Sequence, residues 1–323
     1  VKLSYILCAC VLFPAALPAQ DSLVRFGEVW AYLMAGEEAF LAEGQPVTDV
    51  GYFGAGLNSS GELSRVPDIR KIGAFPARKH LVVAEVGNQA LTHFALSPDF
   101  PIRDKLVADI AAAAEPYDGV QIDFEMVPAK DKDAFFEFLR LLKDRIDGRT
   151  LSAAVPARWR DVADAYDYAL LDQTVDRVIV MAYDEHWSTS GPGPIASVAW
   201  GRNVAAYATR KISPERLVMG LPFYGRAWAD KNLSRAYKHS GVAQIIEGAA
   251  GGVHLRENEI PSLEYQETVT VRLFYEDASS ILSKLRAYAA ASVRNVAFWR
   301  LGQEDPAVWP LLEGFPAEPD AQP

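Results

Sequence analysis

Three polar residues, Gln121, Asp123 and Glu125, alternate with Val120, Ile122 and Phe124 in the segment Tyr117–Glu125. On a β-strand successive side chains point to opposite faces, so the polar trio shares one face and the apolar trio the other. Asp123 and Glu125 are then roughly 7 Å apart along the strand, close enough to lean together over a shared proton. Two carboxylates in one partly buried site cannot both ionise cheaply; one pKa rises, and that group can deliver a proton near neutral pH. The chemistry this suits is protonation of a leaving oxygen. Glu125, last in the strand, is the candidate acid, and Asp123 its helper. A single acid at a strand end is more simply read as solvated, or as a cap on the next helix. Three polar groups in a row among apolar neighbours are too costly to bury unless they pair and are used.

The elements that must position this trio are legible from hydrophobic periodicity. Short β-rich runs are expected at Val29–Leu33, Asp49–Phe53, His80–Val86, Gly119–Phe124, Leu151–Val155, Arg177–Tyr183, Leu217–Pro222 and Val296–Trp299. Helical patterns lie between them at Ile102–Ala114, Asp131–Ile146, Ala163–Leu171, Val198–Thr209 and Ala278–Ala291. This alternation defines an α/β chain, either an open doubly wound sheet or a closed barrel. Eight units in about 280 residues favour a (β/α)8 TIM barrel. No glycine-rich dinucleotide or phosphate fingerprint follows the first strand. The trio's outer face then packs against helices and its inner face looks into the barrel, with Glu125 at the C-terminal end where barrel enzymes place their sites. The catalytic domain is expected over 24–312, with a small insertion on the rim between strands seven and eight, within 228–294. A Pro-, Asp- and Ala-rich tail at 313–323 is expected to be disordered.

The segment Asp118-Gly119-Val120-Gln121-Ile122-Asp123-Phe124-Glu125 resembles the Asp-Gly-x-Asp-x-Asp-x-Glu signature of family 18 glycoside hydrolases, the chitinase-like family. It departs at one place: Gln121 stands where the family has its middle Asp, which relays charge to the next one. Gln121 can hydrogen-bond Asp123 but cannot take its proton. Three further segments resemble the family's later strands in the expected order. They are Met181-Ala182-Tyr183-Asp184 on the sixth, Met219–Arg226 with Tyr224 and Arg226 on the seventh, and Val296–Gly302 with Trp299 on the eighth. The runs Met181–Ser197 and Phe274–Trp309 look most like the bacterial subgroup of spore-cortex and peptidoglycan-fragment glucosaminidases.

The resemblance implies roles. Glu125 protonates the leaving oxygen, and the substrate's own 2-acetamido oxygen attacks the anomeric carbon. Asp123 holds the acetamido N–H, and Tyr183 steadies the carbonyl oxygen. Gln121, Met181, Asp184, Tyr224, Arg226 and Trp299 are expected to bind substrate, Trp299 as the floor under the reacting sugar, while Asp118 and Gly119 shape the motif. Each also has a plainer reading. A Tyr at a strand end usually packs, glycine and proline clusters often simply end strands, and Trp299 would serve equally as core. His186 could be a base or a ligand, but no second His or Cys completes a metal set, and neither metal nor organic cofactor is expected.

The bulk properties bound the partners. The chain has 323 residues, half of them hydrophobic, and a net charge of −10 from 32 basic and 42 acidic residues. That balance argues against nucleic acid or an anionic membrane surface and suits a neutral glycan. Lys2 and the apolar run Leu3–Pro18 have the pattern of a cleavable signal peptide at 1–19, implying export to a periplasm or the medium. Lipoprotein anchoring at Cys10 is the lesser alternative. Both cysteines, Cys8 and Cys10, lie in that segment, and no other stretch is suited to span a bilayer. The expected function is a retaining glycosidase acting on β-linked N-acetylglucosamine-containing glycans by substrate-assisted catalysis. Its rivals are a weak or inactive glycan-binding relative, favoured by Gln121, and an unrelated barrel with a scaffolding role.

Overall fold

The computed structural model describes residues 23–314, apart from 233, 235 and 250. Within them eight parallel strands close into a barrel: β1 (Glu28–Met34), β2 (Asp49–Leu57), β3 (Arg78–Glu85), β4 (Gly119–Phe124), β5 (Thr150–Pro156), β6 (Arg177–Met181), β7 (Leu217–Pro222) and β8 (Asn295–Trp299). Each strand pairs with the next, and β8 pairs back onto β1. The (β/α)8 barrel expected from the alternation is therefore the observed fold. The expected signal segment 1–19 and residues 315–323 lie outside the described residues. Glu313 and Gly314, assigned to the tail, instead belong to a short strand, Leu312–Gly314, that pairs in parallel with Val24–Phe26.

Strand alternation sorts the core into two bodies. Val120, Ile122 and Phe124 of β4 join the outer cluster between strands and helices. There Phe124 stacks on Phe138 of the helix Lys132–Arg145, whose Phe135, Phe138, Leu139 and Leu142 recur at helical spacing and are all buried. Each such side chain stabilises the fold by about 1.5–3 kcal/mol. Inside the barrel, Trp30, Tyr32, Val82, Ile179, Val218 and Ala297 form a separate plug, with Phe53 and Trp299 resting on it.

Beneath that plug the barrel is closed by charge, which periodicity did not reveal. Glu28 accepts hydrogen bonds from Arg177, Arg78 and the Trp30 indole. Asp49 accepts from Arg78 and bonds His80 at 2.8 Å. Burial works against both anions, but Arg177 at Glu28, and His80 with Arg78 at Asp49, hold their pKa values below the ordinary carboxylate range.

Two helix expectations change. The pattern at Ala163–Leu171 begins later, at Tyr168–Thr174, because the Asp167 side chain accepts the Leu170 N–H and caps it there. After β3 a further helix, Gln89–Leu96, capped by Asn88, was not among the expected helical patterns. The insertion after β7 rises on an antiparallel ribbon, Arg226–Ala229 with Val271–Phe274. It carries the helix His239–Gly248 and the hairpin Val253–Glu257/Ile260–Glu264.

Candidate active site

The acid pair stands where strand geometry requires. Asp123 faces into the barrel with only 5% of its surface accessible, whereas Glu125 lies one step past the end of β4 and is exposed. Burial, reinforced by the neighbouring Glu125 charge, pushes the Asp123 carboxyl up to about 8. Burial and then the Asp184 charge raise Glu125 as well. Gln121, one step deeper, is fully buried and donates its amide N–H to the Tyr32 hydroxyl at 2.7 Å. The amide N–H thus goes to β1 and not to Asp123, and, against expectation, Gln121 does not line the cleft.

Two neighbours explain why the motif begins with Asp118-Gly119. The Asp118 carboxylate accepts the Lys79 N–H at 2.7 Å, locking β4 to β3. A Cβ on Gly119 would meet His80 Nδ1 at 2.4 Å and the Thr150 carbonyl at 2.6 Å, so only glycine lets the strands close here.

Past the end of β6 the chain delivers Tyr183 and Asp184. Gly220 on β7 makes room for Tyr183: a Cβ there would lie 3.0 Å from the ring and 2.8 Å from the Val180 carbonyl. Asp184 adopts a left-handed backbone (φ 56°), a conformation aspartate tolerates better than most residues. That turn aims its carboxylate at β7's exit, where Oδ1 accepts from Tyr224 at 2.5 Å and from Arg226 at 3.1 Å. At the end of β8, Trp299 packs on Tyr32 and Phe53 with ring centroids 5.3 and 5.1 Å away.

These residues share one cavity of about 600 Å³, walled by Asp123, Glu125, Met181, Tyr183, Asp184, Tyr224, Arg226 and Trp299. Gly225 and four residues that were not foreseen, Met34, Phe53, Val86 and Gln303, complete it. A second cavity of about 320 Å³ opens on the other side of Glu125, Met181, Tyr183 and Asp184, and its wall carries Trp159, Trp187 and Trp200. Trp159 and Trp187 are half exposed, at 52% and 51%. The Trp187 indole N–H is satisfied within its own loop by Thr189, which leaves the ring face free. The cleft thus has two arms meeting at Glu125. His186 is not among the residues lining either arm; it bonds the Pro194 carbonyl and lies against Gly193. Among the described residues no cluster of three His, Cys, Asp or Glu is placed to hold a metal ion, and no helix is long and apolar enough to cross a membrane.

A family model described as glycosyl hydrolases family 18 matches residues 78–304, which include the β4 acid pair, the whole second arm and all of the first arm's wall except Met34 and Phe53. The chain belongs to family 18. It is a glycoside hydrolase by that membership. Among its relatives, a cortical fragment-lytic enzyme of Bacillus anthracis is 26% identical over 325 residues, covering 93% of this chain and 72% of the relative. The crystal structure of the Bacillus cereus spore cortex-lytic enzyme SleL superposes with a TM-score of 0.71 at 25% identity, covering 89% of this chain and 74% of that one. A chitinase from Chromobacterium violaceum shares the fold, with a TM-score of 0.69 at 22% identity over 88% of this chain and 97% of its own. The family was expected from the motifs and their order, and the likeness to cortex-lytic enzymes from the runs Met181–Ser197 and Phe274–Trp309.

Proposed function

We propose that this chain hydrolyses β-linked N-acetylglucosamine-containing glycans, chitooligosaccharides or peptidoglycan fragments, with retention of configuration. The observation that carries this reading is the convergence of Glu125, Asp123 and Tyr183 on one cavity floored by Trp299. The likeness to a cortical fragment-lytic enzyme and to the spore cortex-lytic enzyme SleL supports peptidoglycan fragments as the first candidate substrate to test. Glu125, with its pKa raised, gives its proton to the glycosidic oxygen as the bond to the anomeric carbon breaks. The third carboxylate of the site, Asp184, is engaged by Tyr224 and Arg226 and is poorly suited to attack. As substrate-assisted catalysis in family 18 implies, the substrate's 2-acetamido oxygen serves as nucleophile. Asp123 accepts the acetamido N–H and balances the positive charge of the cyclised intermediate. Tyr183, kept protonated by burial, donates to the acetamido oxygen. Glu125, now an anion, takes a proton from the water that opens the ring. The indole of Trp299 supports the apolar face of the reacting sugar.

Export is part of the same proposal: the apolar run Leu3–Pro18 after Lys2 supports a cleaved leader, and sequencing the N-terminus of the protein from its native host tests it. One departure favours a second reading, a weakly active glycan-binding protein: Gln121 in place of the middle Asp. Assay on labelled chitooligosaccharides and on peptidoglycan fragments, beside Glu125→Gln, separates the two. Turnover by the parent and a loss of at least about a hundredfold in the variant are expected. Binding with turnover by neither protein would establish the second reading.

A further inference from the structure

Asp123 and Gln121 face the barrel interior two residues apart on β4, and each keeps a buried oxygen with no hydrogen-bond donor, Oδ1 of Asp123 and Oε1 of Gln121. The amide nitrogen of Gln121 is committed to Tyr32, so the oxygen is the end left over. Unmatched buried acceptors each cost about 1–3 kcal/mol. One proton on the Asp123 carboxyl turns an acceptor into a donor and relieves both.

Among the described residues no cation bears on Asp123 to compensate a negative charge. The titratable and charged groups that bear on it are Glu125 on its own strand, Tyr32 from β1, Tyr183 beyond β6 and Tyr166 from the segment before Tyr168–Thr174. Tyr224 and Asp184 lie further along the cleft, and Arg226, the cation lining that cavity, is bonded to Asp184.

We propose that Gln121 holds Asp123 as a neutral carboxylic acid in the resting enzyme, its proton shared with the Gln121 amide oxygen, so that this proton must pass to cleft water before Asp123 can act as an anion. The inference rests on the reading of Asp123 as the helper carboxylate. A second carboxylate at position 121 would receive the proton internally: the O–H bond at Asp123 breaks, one forms at the neighbour, and the pair keeps a single proton throughout. An amide has no such capacity. Gln121 is thus a positioning residue that ties the availability of Asp123 to bulk pH and disfavours the acidic side. The rise of the Asp123 carboxyl to about 8 agrees with this arrangement.

The test is Gln121→Asp beside the parent enzyme, with kcat/KM on a chitooligosaccharide measured from about pH 8 down to about pH 5. The ratio of variant to parent is expected to grow by at least about tenfold toward the acidic end. A ratio independent of pH overturns the proposal and leaves Gln121 as packing beneath Tyr32. If the variant does not fold, the parent carries the test alone. An infrared band of a protonated carboxyl, assigned by its loss in Asp123→Asn, is expected at neutral pH and should titrate away on the alkaline side. Its absence at neutral pH overturns the proposal. A parent protein without turnover would count against the glycosidase reading instead, and the infrared band would still report the state of Asp123.

Discussion

Tyr224 donates its phenolic O–H to Asp184, forty positions earlier in the chain, and so holds a negative charge in the wall of the cavity that contains Glu125. That charge is the second cause, after burial, of the raised Glu125 pKa. Asp184→Asn keeps an acceptor for Tyr224 and removes the charge. The Glu125 pKa should then fall, and because Glu125 must be protonated to act, the alkaline limb of kcat/KM should move to lower pH. An unmoved limb would show that Asp184 does not tune the acid.

The second cleft arm predicts where a longer glycan gains affinity. Trp187→Ala and Trp159→Ala each remove a half-exposed indole beside Glu125. Each should raise KM for long oligosaccharides about three- to tenfold while leaving kcat nearly unchanged. The shortest cleavable substrate should be affected least. Equal losses on short and long substrates would mean that this arm is not used.

The charged floor makes a stability prediction independent of function. Arg177→Met deprives the buried Glu28 of two hydrogen bonds and should cost about 3–5 kcal/mol, read as a lower urea midpoint at neutral pH. Glu28 and Asp49 have folded pKa values below their unfolded ones. Their contribution is therefore present above the unfolded value of about 4 and is lost as pH falls through the folded values. The gap between parent and variant should narrow on acidification. A gap that is constant with pH would assign the loss to packing.

Gly119→Ala should destabilise by about 1–3 kcal/mol or more, since the new methyl would overlap the His80 ring and the Thr150 carbonyl, neither of which has room to move. Thermal unfolding measures it. A melting temperature equal to the parent's would mean that β3, β4 and β5 do not approach as described.

Within β4 the sequence alone was sufficient, because a side-chain period of two admits one sorting of faces. It put Val120, Ile122 and Phe124 against the helices, Gln121 and Asp123 inside, and Glu125 last, where the structure has it exposed just past the strand's end. The eight strands were legible for the same reason: a parallel strand buried on both faces is a short apolar run. Only the closed ring decided which residues from distant strands would meet. The partner of Gln121 is Tyr32, 89 positions away. The floor joins Glu28 to Arg177, 149 positions apart, and the charged starts of those strands carry no local sign that they are buried together. Trp159 and Trp187 belong to no motif in the sequence; two turns, after β5 and β6, bring them to one wall beside Glu125. Local alternation determines the direction a side chain takes from its own strand. What it meets there depends on the register of the other strands, and no single segment encodes that.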